Sequence, residues 1–452
     1  MRRNKHVDGT LIILALIVVT GFAVRYAVWI YPMYRGQALA LYDPDVYTTF
    51  GLSYIHAITS MNFTALTDIN PGVPPLGMIL TGLSAYALGP FMGSSQAGLI
   101  APITASVLTA FPVYIIAKKS ASRFSLLAPI LIAFDPFLIQ YSVAYLDSIG
   151  TLFTALSAAC IIGSSNRRSM SLAIFFASLA VLTKLSFVIF TVIFALLLLH
   201  TKKLTANRAL VYLLVPLASL ALSPGIWRPG NIEEIVRGHL HRNNLPLAPL
   251  LGPFTVDLPQ SLPWYVLTYL GMGQVSWSTL PALTPLTLLI STIYVTLTRR
   301  LHGLGYAAIP ASAMMLTIFL LPRNYWTSSW GGVFTQGVLV RQFYPYYFYP
   351  VVALLSVVVV LTVSSDGDRV RSRAITYPPL LLALLSPFAV VMNLGLPYWD
   401  FIFLLIYNAS KGSWIIEGLI ATVTTTLMLG VALVMAELIH RKTRDSQGTV
   451  QG

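Results

Sequence analysis

The sequence predicts an all-α polytopic membrane protein, and three observations predict it. The 452 residues are 56% hydrophobic and only 10% charged, with a mean hydropathy of +0.76, where soluble chains hold about 45–50% apolar residues. Apolar runs of around 20 residues, each able to cross a bilayer as a helix, recur along nearly the whole length. Basic residues gather in short clusters between these runs: Lys118–Arg123, Arg167–Arg168, Lys202–Arg208, Arg299–Arg300, Arg369–Arg373 and Arg441–Arg444. That is the bias of cytoplasmic loops. It accounts for the net charge of +13 without nucleic acid as a partner; the partner that composition demands is the lipid bilayer. The single cysteine, Cys160, excludes an intramolecular disulfide and any multi-cysteine metal site.

Taken in order, the first apolar run is Thr10–Pro32. It is too long and too aromatic at its end for a signal peptide, and no small-residue cleavage site follows, so it is a retained span. Arg2, Arg3 and Lys5 precede it, which places the N-terminus in the cytoplasm and Tyr34–Val73 outside. Two runs follow, Pro75–Gly89 and Ala97–Ala117. The first has about 15 residues against the usual 17–25, and Gly89-Pro90 breaks it. Reading it as a partial or tilted helix keeps every basic cluster inside. The charge rule then gives about 12 spans, with a range of about 11–13, short interfacial helices in the first external loop and both ends cytoplasmic. The turns near Asp147, Lys184, Trp227–Pro263, Arg323–Val340 and Leu396–Trp414 face outward. The chain divides into a transmembrane module (1–224, with external loop 34–74), an external loop (225–263), a C-terminal transmembrane region (264–440) and a cytoplasmic tail (441–452). No internal repeat of the kind that builds inverted-repeat transporters is visible.

With this orientation the outer face collects a chemical set. Asp43 and Asp45 lie in "YDPDVYTTF", Asp68 lies further along the same loop, and Asp147 opens a span after "YSVAYL". Lys184 interrupts "AVLTKLSFVIF", and Arg341 begins "RQFYPYYFYP". A charge at membrane depth costs roughly 2.5–3.5 kcal/mol on insertion scales, so each needs a partner or a task. Plainer roles stand beside the functional ones. Asp147 is also placed to cap a helix. Lys184 could snorkel to the interface, and Arg341 with its tyrosines could anchor there. Asp135, in "AFDPFLIQ", is a rival acid on the same turn as Asp147. His239 and His241 are two apart in a polar loop, but spacing fixes no third metal ligand.

The order and spacing of these motifs resemble the GT-C glycosyltransferases. They are an acid in the first external loop with an aromatic four positions on (Asp43, Tyr47), "PPLG" opening the next helix, "DPFLIQYSVAYLDS", and "AVLTK". The nearest branch is the dolichyl-phosphate-mannose protein mannosyltransferases and the lipid A aminoarabinose transferases. The resemblance covers Thr10 to about Pro224, the seven-span module that the superfamily shares. It implies that the first-loop acid is the catalytic base. Pro44 stands where the family often has Glu, which leaves Asp43 and Asp45 as rivals. It further implies that Asp147 is a second catalytic acid and that Lys184 and Arg341 meet the donor phosphate. Tyr47, Tyr145, His239, His241 and Tyr344 are the candidate substrate contacts. "PYWDF" and the formal DxD of Asp43-Pro44-Asp45 also resemble features of the oligosaccharyltransferases, whose large soluble domain has no room here.

The chemistry matches the residue types. Moving a sugar from a polyprenyl or dolichyl phosphate to a protein, glycan or lipid acceptor needs a base for the acceptor proton, worth roughly 10²–10⁴-fold. It also needs preorganised cations for the departing phosphate. Direct displacement would invert the anomeric centre. No cofactor is expected, and a divalent metal is not required where Lys184 and Arg341 supply positive charge. The other reading, a transporter or flippase of lipid-linked substrates, predicts charges in the middle of several spans, whereas these sit mostly at predicted outer ends.

Overall fold

The computed structural model describes residues 9–30, 42–69, 73–120, 125–135, 138–139, 141–143, 146–163, 166–200 and 205–227, with short pieces at 324–326, 339–341, 349–350, 353–354 and 356–357. Helix α1, Gly9–Arg25, buries Leu14, Ile17, Gly21, Val24 and Arg25 at helical spacing. Its other face bares Leu11, Ile12, Ile13, Leu16 and Val19. A helix apolar all round is stable in a core or in lipid, not in water. The chain then widens into a π-type turn, Tyr26–Ile30.

The stretch "YDPDVYTTF" forms the first turns of α2, Tyr42–Thr59. Pro44 fits there, because the first turn has no intrahelical partner for its missing N–H. Two aspartates in that turn also complement the positive end of the helix dipole. Helix α3 follows at Leu76–Met92. These are 18 and 17 residues long, and the first external loop holds α2 and a short 3-10 turn at Ala65–Thr67. Gly89-Pro90 does not break α3. Pro90 sits in the last turn, where its ring removes the donor to the carbonyl four residues before it, and the helix runs only as far as Gly93, whose φ of +88° suits glycine. The two helices cross at backbone contact. A Cβ on Gly51 would strike the Met78 carbonyl and come within 2.6 Å of the Gly82 nitrogen.

Next come α4, Ser94–Leu108, and α5, Ala110–Ser120. Together they make one rod, Ser94–Lys119, the described helix long and apolar enough to cross a membrane. At 1.5 Å per residue it is about 39 Å long. Shorter apolar helices are Gly9–Arg25, Leu76–Met92, Asp147–Ile162 and Ala206–Leu222. The spans expected beyond residue 227 fall outside the described residues. Helices α6 (Leu127–Phe134), α7 (Asp147–Gly163), α8 (Arg167–Thr183), α9 (Val188–His200) and α10 (Ala206–Ser219) complete the series. The described residues are helical, as the sequence leads one to expect, apart from one short two-stranded ribbon. In it β1 (Asn324–Trp326) pairs antiparallel with β2 (Leu339–Arg341). Tyr325 and Trp326 on one strand and Val340 on the other suit that pairing.

Buried hydroxyls lock the middle of the bundle. Ser157 Oγ of α7 donates to the Ala173 carbonyl of α8 at 2.8 Å and shares a 2.8 Å hydrogen bond with Tyr212 of α10. The main apolar cluster runs from Leu14 through Ala110–Ala117 and Ala155–Ala159 to Tyr349 and Leu354. The 349–357 pieces therefore pack into the N-terminal core. Charged residues gather at helix termini. One end of the bundle carries Lys118, Lys119, Arg167, Arg168 and Arg208. The other carries Arg25, Asp135, Asp147 and Lys184.

Candidate active site

Asp147 is the first residue of α7. Lys184 lies in the break between α8 and α9, with extended backbone (φ −159°, ψ 135°). Its N–H still bonds the Ala180 carbonyl at 3.2 Å, and its own carbonyl accepts from Phe187 at 3.1 Å. Each charge therefore sits at the helix end whose dipole favours it. Because α7 and α8 are antiparallel neighbours, these ends meet: Lys184 Nζ donates to Asp147 Oδ2 at 2.7 Å. The carboxylate side is fully buried and the lysine 16% exposed, so the lysine is the member that reaches the open side.

The α2–α3 pair is packed against this ion pair. Gly77, at the start of α3, faces Leu146 and Thr183, the residues just before Asp147 and Lys184. Tyr54 and Met78 form a buried cluster with Ala105, Leu146 and Ile149, and Tyr47 and Phe50 pack onto it. The Tyr54 hydroxyl donates to the Ile69 carbonyl at 2.5 Å, and burial pushes its phenol up to about 12. Tyr47 thus places its face of α2 beside the start of α7. Asp43 lies one helical turn before Tyr47, on the same side of the helix. Asp45 is exposed, and its carbonyl accepts from Thr49 Oγ1 at 2.9 Å.

The structure therefore brings together Asp147, Lys184 and the α2 turn that carries Asp45 and Tyr47. It pairs the two charges to which the sequence reading gave separate tasks. Tyr145, His239, His241 and Tyr344 lie outside the described residues, as do the side chains of Asp43 and Arg341. The backbone of Arg341 is described, in register with Asn324.

The sequence reading did not single out Arg25. It is fully buried, and its guanidinium donates to the carbonyls of Gly21 (3.2 Å), Ala133 (2.6 Å) and Ile132 (2.7 Å). Its signal was present as the one charge inside the run Thr10–Pro32, a position that rarely goes without a role. Asp135, the rival acid, is also fully buried, and its Oδ1 accepts from the Leu138 N–H at 3.1 Å. That bond closes a local turn.

No family model and no curated protein matches the chain. Among solved structures it is similar to the oligosaccharyltransferase of Archaeoglobus fulgidus in the apo form, with 17% identity and a TM-score of 0.42 over 91% of this chain and 56% of that one. It is also similar to ArnT from Cupriavidus metallidurans in the apo state, with 16% identity and a TM-score of 0.43 over 94% of this chain and 76% of that one. A third similar structure is the Archaeoglobus fulgidus oligosaccharyltransferase AglB in complex with an inhibitory peptide and a dolichol-phosphate, at 15% identity and a TM-score of 0.43. That match covers 92% of this chain and 56% of AglB, so the chain spans little more than half the length of the oligosaccharyltransferase.

Proposed function

We propose that the chain is a membrane glycosyltransferase of the GT-C type. It would move a sugar, mannose or a related hexose, from a polyprenyl or dolichyl phosphate to an acceptor at the outer membrane face. The observation that carries this reading is the buried Asp147–Lys184 pair, set at one end of an apolar bundle against the helix that bears Asp45 and Tyr47. Among the described residues, the charged side chains of the bundle stand at helix ends rather than mid-span. That arrangement suits a reaction at a membrane face better than a transport path through it.

The roles divide by exposure. A general base must reach the acceptor hydroxyl, and the first-turn acids of α2 can do so, Asp45 being exposed. Asp147 is fully buried against Lys184, and it holds the ammonium in place. The incoming donor phosphate meets that ammonium on its open side, with Arg341 as the second cation. The acceptor oxygen then attacks the anomeric carbon as the sugar–phosphate bond breaks. The base takes the proton, the phosphate leaves against the two cations, and the anomeric centre inverts. No step requires a metal.

The test is to incubate the purified full chain in lipid nanodiscs with labelled polyprenyl-phosphate sugars and a panel of protein, glycan and lipid acceptors. A peptide and a dolichol-phosphate are the ligands of the AglB complex, and both classes belong in the panel. Transfer with inversion, abolished in a chain with Asp43→Asn and Asp45→Asn together, is the expected result. Movement of labelled lipid across vesicle leaflets with no transfer to any acceptor would overturn the reading in favour of a flippase.

A further inference from the structure

The buried guanidinium of Arg25 has no part in the chemistry above, yet it lies at the same end of the bundle. Helix α1 approaches α6 closely at Gly21, where an added Cβ would stand 2.9 Å from the Ala133 Cβ. That approach delivers Arg25 to the C-terminus of α6, whose last carbonyls have no helical donor of their own. Arg25 fills this gap with two short bonds, to Ile132 and Ala133. One turn on, Trp29 Nε1 donates to the Ile139 carbonyl at 3.0 Å, and Ser142 Oγ donates to the same carbonyl at 2.7 Å. The first part of the connection from α6 is thus held from α1, at its start and at Ile139, and the connection leads in sequence to Asp147.

A second element reaches the same place. The Tyr349 hydroxyl donates to Ser106 Oγ of α4 at 2.7 Å, with both residues buried. The guanidinium of Arg25 faces that phenol and lies within Coulombic reach of Asp135. Tyr349 stands in the same chain segment as Arg341 and Tyr344, shortly after them.

We infer that Arg25 is a positioning residue: it fixes the connection that presents Asp147 to Lys184, and through Tyr349 it sets the segment following Arg341 against the same end of the bundle. This inference rests on the reading of Asp147, Lys184 and Arg341 as the donor site. A purely cohesive role for Arg25 would loosen the whole bundle when lost. A positioning role loosens the 135–146 connection and the Tyr349 contact and leaves the end of α7 away from Asp147 intact.

Thiol protection separates these outcomes without relying on activity. In a Cys160→Ala chain, Ser142→Cys and Ser106→Cys each place a thiol at a buried site of the node. The native Cys160, in the last turn of α7 at the end away from Asp147 and half-buried, serves as the control in an otherwise unaltered chain. Adding Arg25→Met should speed methanethiosulfonate labelling of both introduced thiols at least tenfold, with Cys160 changed less than twofold. Arg25→Lys keeps the charge but not the fork and should give an intermediate rate at Ser142→Cys. Tyr349→Phe should raise labelling at Ser106→Cys alone. Where transfer is measurable, Arg25→Met should lower kcat at least tenfold with the donor KM within threefold. Equal deprotection of all three thiols would overturn the inference, as would labelling rates unaltered by Arg25→Met. Should Arg25→Met fail to fold, Arg25→Lys and Tyr349→Phe decide, and unchanged protection in both rejects the role. Site-selective deprotection in a chain that transfers no sugar would leave the node standing and sink the glycosyltransferase reading instead.

Discussion

Removing Lys184 should destabilise the chain far more than removing both members of its ion pair. In Lys184→Met, the Asp147 carboxylate stays at a fully buried position without its cation. Breaking a buried pair on one side costs about 3–5 kcal/mol. The N-terminus of α7 still stabilises the acid by up to about 1 kcal/mol, so a loss of about 2–4 kcal/mol remains. Asp147→Asn is milder. Lys184 is already 16% exposed and its long stem lets the ammonium turn to water, for a loss of about 1–2 kcal/mol. The double variant buries no lone charge and should lose only about 1–2 kcal/mol, because apolar or neutral replacements of buried pairs are often tolerated. The two single losses sum to about 3–6 kcal/mol, so the coupling should be about 1–5 kcal/mol. Helix content of the four chains, titrated from mild into denaturing detergent, measures it. Additivity within about 0.5 kcal/mol would refute the reasoning and show that the 2.7 Å contact carries no net interaction.

Three further outcomes follow from the same geometry. Lys184→Met and Arg341→Met should each weaken binding of a labelled polyprenyl-phosphate sugar at least tenfold, and Arg341→Lys should recover only part, since a bidentate fork is lost; undiminished affinity in both Met variants removes them from the site. Asp43→Asn or Asp45→Asn, whichever is the base, should lower turnover by roughly 10²-fold or more with donor binding little changed, and turnover should survive a chelator; silencing by chelator with rescue by Mn²⁺ would assign the acids to a metal instead. Single cysteines introduced in a Cys160→Ala chain at Asp45 and Leu185 should react with impermeant reagents from outside the cell, while cysteines at Lys119 and Arg168 should not; the reverse pattern inverts the topology.

Helix positions were legible in the sequence because apolar runs and charge clusters act locally. Lys184 breaks "AVLTKLSFVIF" where the structure ends α8, and Asp147 opens α7 where "YSVAYL" stops. What α2 and α3 do was not legible, and the reason is physical. A helix of 18 residues that begins with Tyr-Asp-Pro-Asp is neither apolar enough to read as a span nor regular enough to read as amphipathic. It forms because Gly51 and Gly82 let two backbones touch and because Thr48 packs against Gly98. Pairings of that kind depend on residues far apart in the chain, and no window of sequence contains both partners.

The same separation explains the charges. Asp147 and Lys184 were each visible as charges in apolar sequence, but their contact spans 37 positions. It exists because α7 and α8 are antiparallel neighbours whose ends coincide. Arg25 shows the converse. The three acceptors of its short-range bonds are backbone carbonyls, which leave no trace in residue identity, and the Tyr349 and Asp135 side chains near it lie more than 100 positions away in the chain. A lone arginine inside a span can be satisfied by the exposed carbonyl end of a helix packed beside it. In this chain that helix is α6, only eight residues long, and the connection that leaves it is held again by Trp29 at Ile139. The shortness of α6 is therefore consequential. A longer helix would have buried its own carbonyls in further turns, left Arg25 without acceptors, and carried the connection to Asp147 beyond the reach of α1.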